Sequence, residues 1–574
     1  MSEIGAAEGG VMSLAADFDL AGRDEWMALV EQALRGASFD KRLVHTTYDG
    51  IQIQPLYTGA DHAGDPSMPG MAPFTRGSRA SGGPWQVRQA HSPAMGHAEL
   101  LAAVHGGVDA IELHVEGAGS PDELGALLEG VPESVPVMLA PGSEASEALV
   151  GLWERRGLAP AEFQGGFGVE AADPRVATAV SRSLAFPGVV AAVANGARLA
   201  DQGASEAQEL AGSLGDGVAF LRACEQAGLE LPKAVAKLEF RYAAGVDQFS
   251  TMAKLRAARR LWARVTQACG LEPAAQRQHA VTAGAMMTRR DPWVNMIRTT
   301  VACFAAAAGG ADAITVAPYD AAIGVPDPLG LRIARNTQLL LREESHLHQV
   351  IDPAGGSYYV EWLTDALATT AWGLFQDLEA GAALAERIEA THGARSRDVA
   401  TRRLPITGVS EFPHLEEPTV ERPPMPAPYG LRRRAEPFEA LRDAADAAGA
   451  GGTTRPEAFL ACLGPLAVHS ARSTFATNLL AAGGIRAIAG DGFDTPAEAA
   501  TAWAASASPV AVVCSSDELY QEQAAATVAA LKEAGCSYVL LAGRPDDRWG
   551  ADGYLYLGCD ALAALQAVHQ RLGL

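Results

Sequence analysis

Ala110-Ile-Glu-Leu-His-Val115 is a short apolar run, too brief for a helix, and runs of the same kind return as Val135-Pro-Val-Met-Leu-Ala140, Val189-Val-Ala-Ala-Val193 and Ala313-Ile-Thr-Val316. Alanine-rich stretches at helical spacing separate them. Strands that alternate with helices are joined by crossovers that bring the chain back parallel, so residues from about 100 to 350 predict a parallel sheet or barrel. Two of the helices show a face: Met252, Leu255, Leu261 and Trp262 on one, and Ile333, Thr337, Leu340 and Leu341 on another.

Outward from this region, residues 1–60 read as an N-terminal arm. Trp26, Met27, Val30 and Leu34 recur at helical spacing there, ahead of the extended piece Ile51-Gln-Ile-Gln-Pro-Leu-Tyr57, an edge strand or strap. The barrel-like domain is placed at 61–400. Eight prolines between Leu404 and Pro437 mark residues 401–445 as an extended linker. Beyond it, at 446–574, strands are expected at Phe459–Leu463, Ile485–Ala489, Pro509–Cys514, Tyr538–Ala542 and Tyr554–Leu557, with helices between, a small doubly wound α/β domain.

At 574 residues the chain exceeds one hydrophobic core, and 48% hydrophobic with 20% charged residues is ordinary for a globular protein. A net charge of −23 argues against a nucleic-acid partner, which is held by clustered Lys and Arg. The seven cysteines are scattered and never form a CxxC pair, so they read as buried thiols in a reducing compartment. Met1 to Ala16 has neither a basic n-region nor an apolar h-region, and no apolar run reaches the roughly 18 residues of a membrane span. A cytoplasmic location and no membrane partner are the expectations. Gly355-Gly356-Ser357 and Gly451-Gly452-Thr453 lack the Lys-Ser/Thr ending of a phosphate loop and read as turns, and no metal-ligand spacing or nucleophile elbow is present.

Eight collinear segments carry a resemblance: Pro69-Gly-Met-Ala-Pro-Phe-Thr-Arg-Gly77, Pro84-Trp-Gln-Val-Arg-Gln89, Met252-Ala-Lys-Leu-Arg-Ala-Ala-Arg259, Arg277-Gln-His-Ala-Val-Thr-Ala-Gly284, Asp291-Pro-Trp-Val-Asn295, Arg298-Thr-Thr300, Arg332-Ile-Ala-Arg-Asn-Thr-Gln338 and Asp352-Pro-Ala-Gly-Gly-Ser-Tyr-Tyr359. Together they resemble the adenosylcobalamin-dependent acyl-CoA mutases, specifically the methylmalonyl-CoA mutase family. The resemblance implies a (β/α)8 TIM barrel followed by a flavodoxin-like domain of the cobalamin-binding type. It also implies a CoA thioester threaded along the barrel axis, with Arg76, Arg79 and His279 at substrate-like positions.

The departures from that pattern are equally specific. The family places a Tyr-His pair beside the substrate, whereas this chain reads Asn195-Gly196-Ala197-Arg198, so Ala197 and Arg198 stand where the pair is lost. A permanently charged guanidinium cannot replace a neutral imidazole. Arg198 is expected to be structural, either in an ion pair, with Asp201 or Glu206 close in sequence, or filling the pore. His279 is expected to be a satisfied core histidine, since the polar residue two places on is here Val281. In the C-terminal domain the family's Asp-x-His-x-x-Gly becomes Ala467-Val-His469-Ser-Ala-Arg472. The cobalt-ligand position His469 survives without the partner that would orient it, and Arg472 takes the glycine's place. His469 is therefore expected to be a relic or a surface-loop residue, and Gly543-Arg544 to close the cofactor cavity. No metal site and no catalytic residue are expected.

These losses in both domains imply the non-catalytic small subunit of a heterodimeric mutase. The large catalytic subunit would be its partner and would bind the adenosylcobalamin, and the arm and the proline-rich strap are the candidate contacts. Two alternatives stay open: an active acyl-CoA mutase of altered specificity with Arg198 on a substrate carboxylate, and a CoA-thioester or cobalamin binding module.

Overall fold

The computed structural model describes residues 22–61, 64, 67–450 and 455–574. The segment Met1 to Ala16 and the Gly451-Gly452-Thr453 turn lie outside the described residues. A helix, Arg23–Leu34, leads to a hairpin of β1 (His45–Thr46) and β2 (Gln52–Ile53), which pair antiparallel. Eight parallel strands then close a barrel: β3 (Gln86–His91), β4 (Ala110–Leu113), β5 (Val137–Leu139), β6 (Gln164–Glu170), β7 (Gly188–Asn195), β8 (Leu238–Ala244), β9 (Gln278–Thr282) and β10 (Ala313–Thr315). Each strand pairs with its chain neighbours, and β10 closes on β3. The βα rhythm left a parallel sheet or a barrel open; the barrel is present, as the family resemblance implied.

The helices start where local chemistry directs them. Ser205 and Gln208 form a capping box at the head of the helix Glu206–Gln226, and Asp247 accepts the Ser250 amide at the head of Gln248–Ala268. Met252, Leu255, Leu261 and Trp262 are all buried against the barrel. The other assigned face is not the buried one. Helix Pro328–Leu339 buries Leu331, Ala334 and Gln338, and Leu340 is 49% exposed. Gln338 is buried because both ends of its amide are used, accepting from Trp85 Nε1 and donating to the Arg88 carbonyl, each at 3.2 Å. A turn of π-helix at Leu340–Glu344 then rotates the side chains beyond it out of line.

The C-terminal sheet contains β11 (Glu457–Cys462), β12 (Arg486–Ala489), β13 (Val510–Cys514), β14 (Tyr538–Leu541) and β15 (Gly553–Tyr554) in the order 12-11-13-14-15, all parallel. That is the flavodoxin-like arrangement. The stretch read as linker is not extended throughout, because helix Glu436–Ala450 begins inside it. This helix joins the two parts: Glu439 accepts from the Arg289 amide at 2.6 Å and pairs with Arg433 at 2.8 Å, and Arg290 reaches Asp443 and Asp446 at 2.7 Å. The proline-rich strap is bonded to its own barrel. Arg422 binds Asp320 and Asp327, and the Arg432 and Arg434 amides donate to the Asp201 and Ala285 carbonyls. Of the seven cysteines, Cys269 is exposed rather than buried, and the other six are buried. Among the described residues no helix is long and apolar enough to cross a membrane.

Candidate functional site

Active sites of (β/α)8 barrels sit at the mouth formed by the strands' C-terminal ends, and the path that the family resemblance implies for a thioester is the barrel axis. Here charged side chains occupy that axis. Arg88 on β3 donates through both terminal nitrogens to Glu239 on β8, at 2.8 and 2.7 Å, and both residues are 2% exposed. Arg241 on β8 pairs with Glu112 on β4 at 2.6 Å. In an eight-stranded ring β4 and β8 lie opposite one another, so this bridge crosses the axis. Any chain threaded down the barrel would meet it.

His279 on β9 completes the layer. Its Nε2 lies 2.8 Å from the Thr315 hydroxyl on β10, and its ring nitrogens are 3.8 Å from the carboxylates of Glu112 and Glu239. Burial, reinforced by the Arg88 and Arg241 charges, holds its pKa well below the usual imidazole range and outweighs the two carboxylates. Burial alone would raise the carboxyl of Glu239, but the Arg88 charge and its paired hydrogen bonds bring it down to about 2. Glu112 is likewise lowered, by Arg241 first and then His114, against the cost of burial.

A pH dependence follows from the buried imidazole. The unfolded chain takes up a proton on His279 near the free-histidine value of about 6.5, while the folded barrel keeps the ring neutral. Stability is therefore expected to fall as pH drops below about 6.5. His279→Gln should flatten that part of the profile, measured as the urea midpoint between pH 7 and 5; an unchanged slope would show that other groups carry it.

Ala197 is buried in the first turn of helix Gly196–Asp201, which follows β7 at the C-terminal mouth. Arg198 in the same turn pairs with neither Asp201 nor Glu206. Its Nε lies 3.7 Å from Glu170 at the end of β6, and Asn195 donates to the same carboxylate at 3.4 Å. Tertiary proximity between β6 and β7 supplies a partner that sequence proximity did not suggest.

Arg76 and Arg79 lie toward the other end of the barrel. Arg76 donates to Asp352 at 3.2 Å, and Asp352 also holds the buried Arg256. Arg79 lies 3.9 Å from Asp312 and lines a cleft of about 620 Å³ at the strands' N-terminal ends, shared with Arg277, Arg342 and Trp85. His279 therefore joins the axial layer, Arg79 the lower mouth and Arg198 the upper rim. They do not form one site. Arg88, Glu112, Glu239 and Arg241 were not singled out in the sequence. The available signal was ionisable residues at alternating positions inside apolar strands, as in Glu239-Phe-Arg241.

The residues of the C-terminal domain do not fit a corrinoid. His469 is not in a surface loop: it sits in the first turn of helix Leu466–Ala482 and is 2% exposed, its Nδ1 facing the Ser473 hydroxyl at 3.5 Å. Among the described residues its buried Nε2 has no hydrogen-bond partner, and with Ala467 in place of a carboxylate and only Ser473 at 3.5 Å from Nδ1 no acidic group orients the ring as a metal ligand. Arg472 lies over the Tyr520 ring at 4.7 Å, donates to the Ser515 carbonyl at 2.9 Å and pairs with Asp517 at 2.5 Å. The crevice is closed by Arg472 and not by Arg544, whose side chain is exposed. Among the described residues, no group of three or more His, Cys, Asp or Glu side chains could hold a metal ion.

A TIM barrel with an ionic layer across its axis, followed by a flavodoxin-like domain whose switch point is filled, defines an α/β protein built on the acyl-CoA mutase plan. The family model for methylmalonyl-CoA mutase matches residues 182–453. The methylmalonyl-CoA mutase small subunit of Streptomyces virginiae is 47% identical, over 98% of each chain, and that of Propionibacterium freudenreichii subsp. shermanii is 35% identical over 98% of this chain and 96% of its own. The methylmalonyl-CoA mutase of Cereibacter sphaeroides is 31% identical over 69% of this chain and 65% of its own. The chain belongs to the methylmalonyl-CoA mutase family, and the small subunits are relatives along nearly its whole length.

Proposed function

We propose that this chain is the non-catalytic small subunit of a cytoplasmic, heterodimeric methylmalonyl-CoA mutase. It supports a large catalytic subunit that binds the adenosylcobalamin and interconverts methylmalonyl-CoA and succinyl-CoA. The observation that carries this reading is the Arg241–Glu112 bridge across the axis, joined to the absence of a Tyr-His pair at Ala197 and Arg198. A barrel filled in this way offers its outer surface for assembly. The test is turnover by the purified chain with adenosylcobalamin, alone and with a catalytic homologue. Turnover by the chain alone would overturn the reading.

The strap is bonded to its own barrel, which leaves the arm as the candidate partner contact. Helix Arg23–Leu34 has no fully buried residue, and Leu29 is 66% exposed. The hairpin behind it is anchored in its own chain by Tyr48 on Asp398 at 2.9 Å and by Asp49, which accepts from the Ala207 amide at 3.2 Å. Deleting residues 1–44 is therefore expected to abolish co-elution with the large subunit and to leave the circular dichroism spectrum of the remainder intact. Undiminished co-elution would exclude the arm.

A second reading, a CoA-thioester binding module, is favoured by the lower cleft, where Arg79, Arg277 and Arg342 surround an opening of about 620 Å³. Calorimetric titration of the chain alone with coenzyme A separates the two readings. Saturable binding would support the module.

A further inference from the structure

Cys462 is the last residue of β11 and Cys514 the last of β13, and the two are register partners in the parallel ladder. Both side chains belong to the same packed layer, both are fully buried, and both thiols are free. Neighbouring strands lie about 4.8 Å apart, inside the roughly 4.4–6.8 Å between Cα atoms that a disulfide spans. The Cys514 thiol donates to the Val512 carbonyl of its own strand at 3.8 Å, and each thiol is close enough to the other to shift its pKa. These two thiols have no part in the axial layer of the barrel, and they lie on strands β11 and β13 beneath the crevice that Arg472 covers.

We propose that Cys462 and Cys514 form a peroxide-reactive dithiol at the switch point of the flavodoxin-like domain, oxidised by hydrogen peroxide to a reversible disulfide that staples β11 to β13. The Cys462 sulfur attacks one peroxide oxygen. The O–O bond breaks, the second oxygen leaves as water after taking up a proton, and Cys462 becomes a sulfenic acid. The Cys514 sulfur then attacks that sulfur and expels the sulfenic oxygen as a second water. Two thiols and one peroxide give one disulfide and two waters; the thiols are oxidised and the peroxide is reduced. The roles follow the neighbourhood: the nearby Cys514 thiol lowers the pKa of Cys462, the attacking group, whereas Cys462, with burial, raises that of Cys514, the resolving one. Burial also selects the oxidant. Exchange with glutathione disulfide needs a bulky sulfur in line with the attacking thiolate, which a fully covered pair excludes, while hydrogen peroxide is a small neutral molecule.

The test uses the reduced full-length chain, exposed to a modest excess of hydrogen peroxide or of oxidised glutathione, alkylated with iodoacetamide in denaturant and mapped by mass spectrometry. The expected result is a linked Cys462–Cys514 peptide in most chains after peroxide but not after glutathione disulfide, released by dithiothreitol. Exposed Cys269 reports that oxidant reached the protein. The proposal is overturned if both cysteines are alkylated while Cys269 is oxidised, if Cys462 carries sulfinic acid beside an alkylated Cys514, or if oxidised glutathione links them as readily. In Cys514→Ser the sulfenic acid has no resolving thiol, so dimedone is expected to label Cys462; its absence in folded variant counts against the attacking role. The wild-type map does not depend on that variant folding.

Discussion

Arg88→Met is expected to destabilise the barrel by about 3–5 kcal/mol, the range found when one partner of a buried ion pair is removed. The loss comes from what remains. Glu239 would stay buried on the axis with the half-exposed Arg277 3.6 Å away and the buried His279 ring 3.8 Å away as the groups left beside its charge. Its carboxyl would respond by rising from about 2 toward protonation. The double variant Arg88→Met/Glu239→Leu should recover most of the loss, because replacing a whole buried pair with apolar groups of similar size is often neutral or stabilising by about 1–4 kcal/mol. Urea unfolding of the wild type, both single variants and the double variant closes the cycle. A single-variant loss below about 1 kcal/mol, the value of a solvated pair, would mean that water reaches the axis and the barrel is open.

The second large effect is catalytic. Ala197→Tyr/Arg198→His restores the pair that the mutase plan places beside the substrate, yet it is expected to yield no turnover of methylmalonyl-CoA by this chain alone. In an accessible site a positioned acid–base group contributes about 10²–10⁴-fold. Here the substrate cannot reach it, because Arg241 and Glu112 join opposite strands across the path. Nor would the cofactor be seated, with His469 buried and lacking an acidic partner and Arg472 lying in the crevice over Tyr520. Turnover by this variant above the wild-type background, assayed as succinyl-CoA formed with adenosylcobalamin present, would show that the axial layer opens and would favour a mutase of altered specificity. Unchanged assembly with a catalytic homologue would confirm that the variant is folded.

Much of the architecture was legible because its signals are local. The run Val189-Val-Ala-Ala-Val193 lies within a strand from Gly188 to Asn195, and the Pro509–Cys514 run covers one from Val510 to Cys514. Apolar periodicity reports the burial of a segment without reference to distant residues. The assignment failed at Ile333, Thr337, Leu340 and Leu341, where the buried stripe of the helix runs through a small alanine and a hydrogen-bonded glutamine. His469 was misplaced for a related reason. A polar residue just past a strand reads as loop, but the helix begins at Leu466 and folds it inward.

By itself the sequence determined the order of its parts, a βα-barrel region, a proline-rich connection and a second βα unit, and the absence of a Tyr-His pair at Ala197 and Arg198. Those facts depend on residue type and short-range spacing. The tertiary structure alone decided that the barrel axis is filled. Arg88 is 151 residues from Glu239, and Arg241 is 129 from Glu112. Only closure of the barrel brings these pairs to hydrogen-bond distance, in an interior dry enough that a charge must find its opposite.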